Sequence, residues 1–365
     1  MSFASPLVAR EVSRPAKLGE TPFFNAGRLQ SLLQILEPFH PDGTVSTGDT
    51  RIDYEWNVRV AGTDSLYVPA GPINPFSIPD VYDDPEGSAE LNDIVNTDFT
   101  TAVDLALKYK MLDDTVALGS VIGLLEAWSG VTSIDSNIGS VGNWNDKWPL
   151  MIQAAMMVND SDLYTESLHD ALVDATNMGL AVSLANVNTN NLGAWGVCYE
   201  LAAAAFLGDR ALQKRAIRRW RSLFDDAVVD NIPILEIYRD GGGYGDGSSG
   251  LWYSNFFMSA LVVGAEWARF GGEWLYGYES REGSTLEGVV KQVRYWTRYP
   301  TEFPYNTSGT PSSTVRIMAH DEITHALWPD ADSQWLLDNF PNGSVRDNFG
   351  MRQFVLAYRD RPLYG

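Results

Sequence analysis

The chain has 365 residues, 45% of them hydrophobic, which is enough for a substantial core and excludes a disordered protein. Its 26 Lys and Arg stand against 47 Asp and Glu, a net charge of −21 that lacks the basic footprint of nucleic-acid binders. The same charge opposes a polyanionic partner, unless cations in a groove act locally or salt shortens the field to a Debye length of roughly 8 Å.

The single cysteine, Cys198, rules out an intramolecular disulfide and, within an apolar run at 197–207, reads as a buried core thiol. Residues 1–18 carry several charges and no apolar stretch of a secretory leader. The longest apolar run, 256–268, is too short for a membrane span of roughly 18–20 residues and contains Glu266. The expectation is a protein with neither a nucleic-acid nor a membrane partner.

In chain order, residues 51–60 and 65–69 fit short strands. Residues 70–97, with Pro72, Pro75, Pro79 and Pro85, read as an ordered irregular segment whose Phe76, Ile78, Val81 and Tyr82 dock on a surface. From Asp98 onward helical periodicity dominates. One run spans 98–128, and a second spans 149–158 with Pro149 at its opening. A third covers 161–185. Residues 196–207 are nearly all apolar and predict an inner helix. Residues 209–229 are basic on one face and apolar on the other. A further apolar helix runs over 254–270 and stops at Gly271-Gly272. Ser284-Thr285-Leu286-Glu287 has capping-box spacing and opens a helix to about Tyr299. A last short helix falls at 333–340. Apolar helices alternating with polar ones suggest concentric layers, and a generic helical bundle fits the same pattern.

The Gly-, Asn- and aromatic-rich stretches between helices hold the candidate site. Asn190-Asn191-Leu192-Gly193-Ala194-Trp195 joins two amphipathic segments. On spacing alone, its two amides fit a helix cap or an Asx-turn as well as a site. Trp144 and Trp148 flank Asn145, Asp146 and Lys147, a pattern that suits a core or a sugar-stacking wall. Tyr253 begins an apolar helix. Arg239 fits a surface ion pair as well as a site, and Tyr244 lies in a Gly-rich stretch at 240–249.

Taken with residues 143–149 and 233–268, these segments resemble the alginate lyase family, from about Asp98 to Arg361-Pro362-Leu363-Tyr364. The resemblance implies an all-α fold: an (α/α) toroid, or incomplete barrel of helix pairs, with a groove at one end. It assigns residues 98–365 to the barrel and residues 1–97 to an N-terminal segment packed on it, together one continuous unit. The implied activity is β-elimination on a uronate polymer: alginate or polymannuronate, glucuronan, or an acidic exopolysaccharide. No cofactor is implied. Asn191 and Arg239 would neutralise the uronate carboxylate, and Tyr253 would take the C5 proton and return one to the leaving oxygen. An ordinary phenol titrates near about 10, so a cation such as Arg239 has to favour its anion. Asn190, Trp195, Trp144, Asn145, Lys147, Trp148, Tyr244 and His320 are the expected substrate-binding residues. Lyases of this kind meet their polymer outside the cytoplasm. That suggests an extracellular or periplasmic protein, or one released with a phage particle.

The chain departs from the family at Leu192, where a His is usual. Three readings follow: syn elimination by Tyr253 alone on mannuronate-type units, a role for His320 or His325 folded back over the groove, or lost activity. His320 and His325, five apart, do not share a helical face, and no metal is expected there. A glycoside hydrolase drawing on two of Asp146, Glu200, Glu236 and Asp246 is the competing reading, and a non-catalytic carbohydrate-binding protein is a third.

Overall fold

Short polar side chains start the helices. Among the residues described by the computed structural model (19–39, 44–309, 318, 320–339 and 354–358), Asn25 caps α1 (Ala26–Leu36) and Asp49 caps α2 (Thr50–Tyr54). Asp84 accepts from the Gly87 amide at the start of α3 (Pro85–Leu112), with Pro85 in the first turn, where its missing N–H costs nothing. Asp114 caps α4 (Thr115–Ser129), Asn137 caps α5 (Ile138–Val158) and Thr165 caps α6 (Glu166–Val182). Asn190 caps α7 (Asn191–Leu207) and Asp209 caps α8 (Arg210–Ala227). A hairpin of β1 (Val228–Val229) and β2 (Ile232–Pro233) follows. It turns on Asp230 and Asn231, both at positive φ, as a two-residue turn matched to strand twist requires. Then come α9 (Gly250–Phe270), α10 (Leu286–Arg298, capped by Thr285), α11 (His320–Leu327), α12 (Ala331–Asn339) and α13 (Phe354–Tyr358).

Several expectations change. Residues 51–60 form α2 and a π-helical continuation (Glu55–Val60) in place of a strand, because the buried Ile52, Trp56 and Val60 recur at the four-residue interval of a helix face. Residues 65–69 are turn and extended chain with no strand pairing among the described residues. The run at 98–128 is two helices, broken at Asp113 in the left-handed region (φ 55), and the first begins at Pro85 within the segment expected to be irregular. Pro149 lies inside α5 rather than at its start. The expected C-terminal end of the resemblance, residues 361–364, lies outside the described residues, as do residues 1–18.

The barrel is built from helix pairs. α3 packs on α5, α5 on α7 and α7 on α9, while α4, α6 and α8 back them from outside. Neighbouring inner helices run the same way. Trp195 near the start of α7 meets Phe256 near the start of α9 at 5.4 Å, and Gly264 further along α9 lies beside Cys198 and Leu201. Within a pair the helices are antiparallel: Trp148 donates to Thr176, and Trp144, one turn earlier in α5, packs on Gly179, one turn later in α6. A Cβ at 179 would fall 2.1 Å from the Trp144 indole nitrogen, so glycine sets this approach. This is the expected all-α (α/α) toroid. Cys198 is fully buried, and burial pushes its thiol well above the usual range. Buried ion pairs tie other parts of the chain to the barrel: Arg51 of α2 holds Glu322 of α11, and Arg294 of α10 holds Asp321 at 3.3 Å. Among the described residues no helix is long and apolar enough to cross a membrane.

Candidate functional site

Because the inner helices are parallel, their N-terminal ends gather at one mouth of the barrel. A cavity of about 500 Å³ opens there. Its walls come from the first half of α3 (Ser88 to Asn96), the starts of α5, α7 and α9, the segment 80–82 and Arg239. The helix dipoles place partial positive charge at this end, within a negative chain.

Tyr253 sits in the first turn of α9, 9% exposed, with its hydroxyl hydrogen-bonded to the hydroxyl of Tyr82. Burial, and next its bond to Tyr253, raises the Tyr82 phenol well above the ordinary range. Tyr82 and Tyr253 thus share one hydrogen bond at the cavity wall, and either hydroxyl can supply its proton. The Arg239 guanidinium lies 4.3 Å from the Tyr253 ring centroid and 5.2 Å from that of Tyr244. Burial opposes the charge on Arg239, but Tyr253, and after it Glu236 and Tyr244, together outweigh it and raise the group above its usual value. The Gly-rich stretch shapes this corner. A β-bridge pairs Arg239 with Tyr244, and the Gly245 amide donates to the Tyr238 carbonyl. A Cβ at Gly242 would fall 2.9 Å from the Tyr82 ring, so the absence of a side chain lets that ring lie against the loop. Tyr244 itself, 57% exposed, stands outside the cavity lining, across Arg239.

Asn191 opens α7 and faces the cavity. Its backbone N–H donates to Glu236 at 2.5 Å and its side-chain amide lies 3.1 Å from both oxygens of that carboxyl. Glu236 is fully buried. Burial pushes its carboxyl up to about 7, against the pull of the two Asn191 bonds and of Arg239. The carboxyl thus orients the amide through one N–H and leaves the second for a ligand. Beside Asn191, Leu192 lines the cavity with an apolar side chain that has no proton to exchange.

On α5 the cavity receives Asn143, Asp146 and Lys147. The Lys147 ammonium bonds the Asn143 side-chain oxygen and lies 3.1 Å from Asp146, whose carboxyl burial pushes up to about 6 against the pull of that ammonium. Trp195, Trp252 and Phe256 form an aromatic wall, with Trp252 edge-on to Tyr253 at 4.7 Å.

Five expected substrate contacts lie elsewhere. Trp144 and Trp148 are 0% exposed and stack on each other at 4.2 Å. With Phe76 and Phe99 at their edges they belong to the core, and no sugar reaches them. Asn145 is also buried and bonds the Val141 carbonyl and Ser183. His320 is buried at 1% exposure and bonded to Ser259 at 2.7 Å, away from the cavity, and burial lowers its imidazole below the usual range. Asn190 is the cap of α7, accepting from the Leu192 amide. Asn191, Arg239, Tyr253, Lys147 and Trp195 do converge on the cavity. Sequence reasoning missed Tyr82 as a partner of Tyr253. The apolar residues of its segment marked docking but not the place. It also left Glu236 among the hydrolase carboxyls without its tie to Asn191.

The family profile for alginate lyase matches residues 95–303. No curated protein sequence matches the chain. Among solved structures, an alginate lyase from Bacteroides ovatus superposes with a TM-score of 0.65 at 15% identity, covering 94% of this chain and 100% of that one. Alginate lyase A1-III from Sphingomonas species A1 gives 0.69 at 15% identity over 91% and 94%. A tyrosine-to-phenylalanine variant of alginate lyase A1-III, complexed with a tetrasaccharide, gives 0.70 at 15% identity over 95% and 98%. At such identities the likeness shows the shared fold.

Proposed function

This chain belongs to the alginate lyase family of polysaccharide lyases, and from that premise we propose that it cleaves a uronate-containing polysaccharide by syn β-elimination, with Tyr253 as both base and acid. The observation that carries the reading is the corner around Tyr253. Its hydroxyl is hydrogen-bonded to that of Tyr82, Arg239 lies against its ring, and the Asn191 amide lines the same cavity.

The steps use these groups in turn. The uronate carboxylate takes hydrogen bonds from the free Asn191 N–H and from Arg239, which makes the C5 proton more acidic and stabilises the charge that develops as it leaves. The Tyr253 phenolate, offset by the Arg239 charge, removes that proton. The electrons form the C4–C5 double bond and the C4–O bond breaks. The phenol then gives its new proton to the departing glycosidic oxygen, which restores the phenolate. One side chain serves both transfers only when the C5 proton and the leaving oxygen share a face of the ring, as in mannuronate-type units. Leu192 offers no second base for the other stereochemistry. The half-buried rings of Trp252 and Phe256, backed by the buried Trp195, give a sugar face a surface to lie on.

Hydrolysis fits the cavity less well. Of Asp146, Glu200, Glu236 and Asp246, Asp146 alone lines it, and Glu200 is ion-paired with Arg219. Uronate polymers lie outside cells, so the reading includes extracellular or periplasmic action, or release with a phage particle.

Incubation with a panel of uronate polymers tests this, following the ultraviolet absorbance of the new double bond together with new reducing ends. Absorbance rising in step with reducing ends is expected on at least one polymer. Reducing ends without absorbance would mean hydrolysis and sink the proposal.

A further inference from the structure

We propose that the polymer taken by this site carries isolated uronates flanked by uncharged sugars, rather than an unbroken run of uronates. This rests on the elimination reading for where the cleaved uronate sits, and it concerns the walls on either side.

Two cations face the cavity among the described residues, Arg239 and Lys147. Lys147 is already taken up by Asn143 and Asp146. Arg239 packs on the rings of Tyr253 and Tyr244 and, with Asn191, provides a place for one carboxylate. The rest of the lining is acidic or neutral. Asp80 and Asp93 add carboxylates beside the paired Asp146 and Lys147, and Ser88, Asn92 and Asn96 add uncharged polar groups.

A homopolyuronate bears a carboxylate on every ring. Once one is seated at Arg239, its neighbours meet the walls that hold Asp80 and Asp93, in a chain whose net charge is already −21. Two unit charges about 4 Å apart repel by roughly 1 kcal/mol even at the dielectric of water, a factor of about five in affinity. Neutral sugars reverse the sign of the same contacts. Their hydroxyls donate to carboxylates and exchange hydrogen bonds with amides, and a hydroxyl donating to a carboxylate is among the stronger hydrogen bonds.

Binding to the Tyr253→Phe protein tests the charge pattern apart from turnover. The probes are a gellan-type tetrasaccharide with one glucuronate, tetraglucuronate and tetramannuronate. The single-uronate probe is expected to bind about fivefold tighter or more at low salt, with the gap narrowing as salt screens the repulsion. Asp93 is exposed on α3, and adding Asp93→Asn is expected to tighten tetraglucuronate by about fivefold. Equal or tighter binding of either homo-oligomer, or no response to Asp93→Asn, would overturn the proposal. Double-bond formation by the unmutated protein is followed on the same probes. A single-uronate binding preference without elimination keeps the charge assignment and removes the lyase chemistry. Elimination fastest on a homo-oligomer keeps the chemistry and removes the charge assignment.

Discussion

The N-terminal halves of α5 and α7 stand side by side at one mouth of the barrel, and both carry Asn and Trp. On α5, Asn143, Asp146 and Lys147 face the cavity while Trp144, Asn145 and Trp148 turn into the core. On α7, Asn191, Leu192 and Trp195 face the cavity and Asn190 stays behind as the cap. A helix presents one face to a wall, so a contiguous motif longer than a turn is split between site and scaffold. The two halves fail differently when cut: one costs stability, the other turnover.

The largest expected effect lies on the scaffold side. Trp148→Ala removes a fully buried indole with its bond to Thr176. It should lower unfolding free energy by about 3–5 kcal/mol in a denaturant titration. The protein that stays folded should keep its substrate affinity, and a selective loss of affinity would return Trp148 to the site.

Next are the adjacent amides. Asn191→Ala should lower turnover by about 10²–10³, as loss of an oxyanion donor does. Asn190→Ala should instead cost about 1 kcal/mol of stability through the lost cap and leave turnover nearly untouched. Exchange of these two outcomes would mean that the amides have been assigned the wrong way round.

The smallest effect concerns Glu236, and it has a sign in pH. Ionised, the carboxyl accepts from Asn191; protonated, it loses acceptor capacity. With the group pushed up to about 7, turnover should fall as pH falls through that value. Glu236→Gln should remove this acid limb and lower turnover above it by about tenfold. For stability the sign is opposite. The folded value lies above the ordinary 4.5, so the group's contribution is full below that pH and is lost as pH rises through about 7. An acid limb that survives Glu236→Gln would assign the titration to another group.

Much of the barrel was legible because its signals are local. Caps such as Asp209 and Thr285, and the apolar runs behind them, fix helix starts within a few residues. Pro149 misled because a proline also fits inside a helix when packing outweighs one lost hydrogen bond. At the site, Asn191, Arg239 and Tyr253 were legible as residues of a resembling motif. Tyr82 was not, since it lies 171 positions before its partner in sequence and only the fold joins them. Nor was the split of the α5 motif legible, because Trp144 and Trp148 suit a core and a sugar wall equally in composition.

The most direct test of the account is Tyr253→Phe, assayed for double-bond formation and for binding on whichever polymer the unmutated protein cleaves. Turnover reduced by about 10²–10⁴, the range of a lost acid–base group, with affinity retained, is the predicted result. Turnover within a few-fold of the original would contradict it and move the chemistry away from this corner of the cavity.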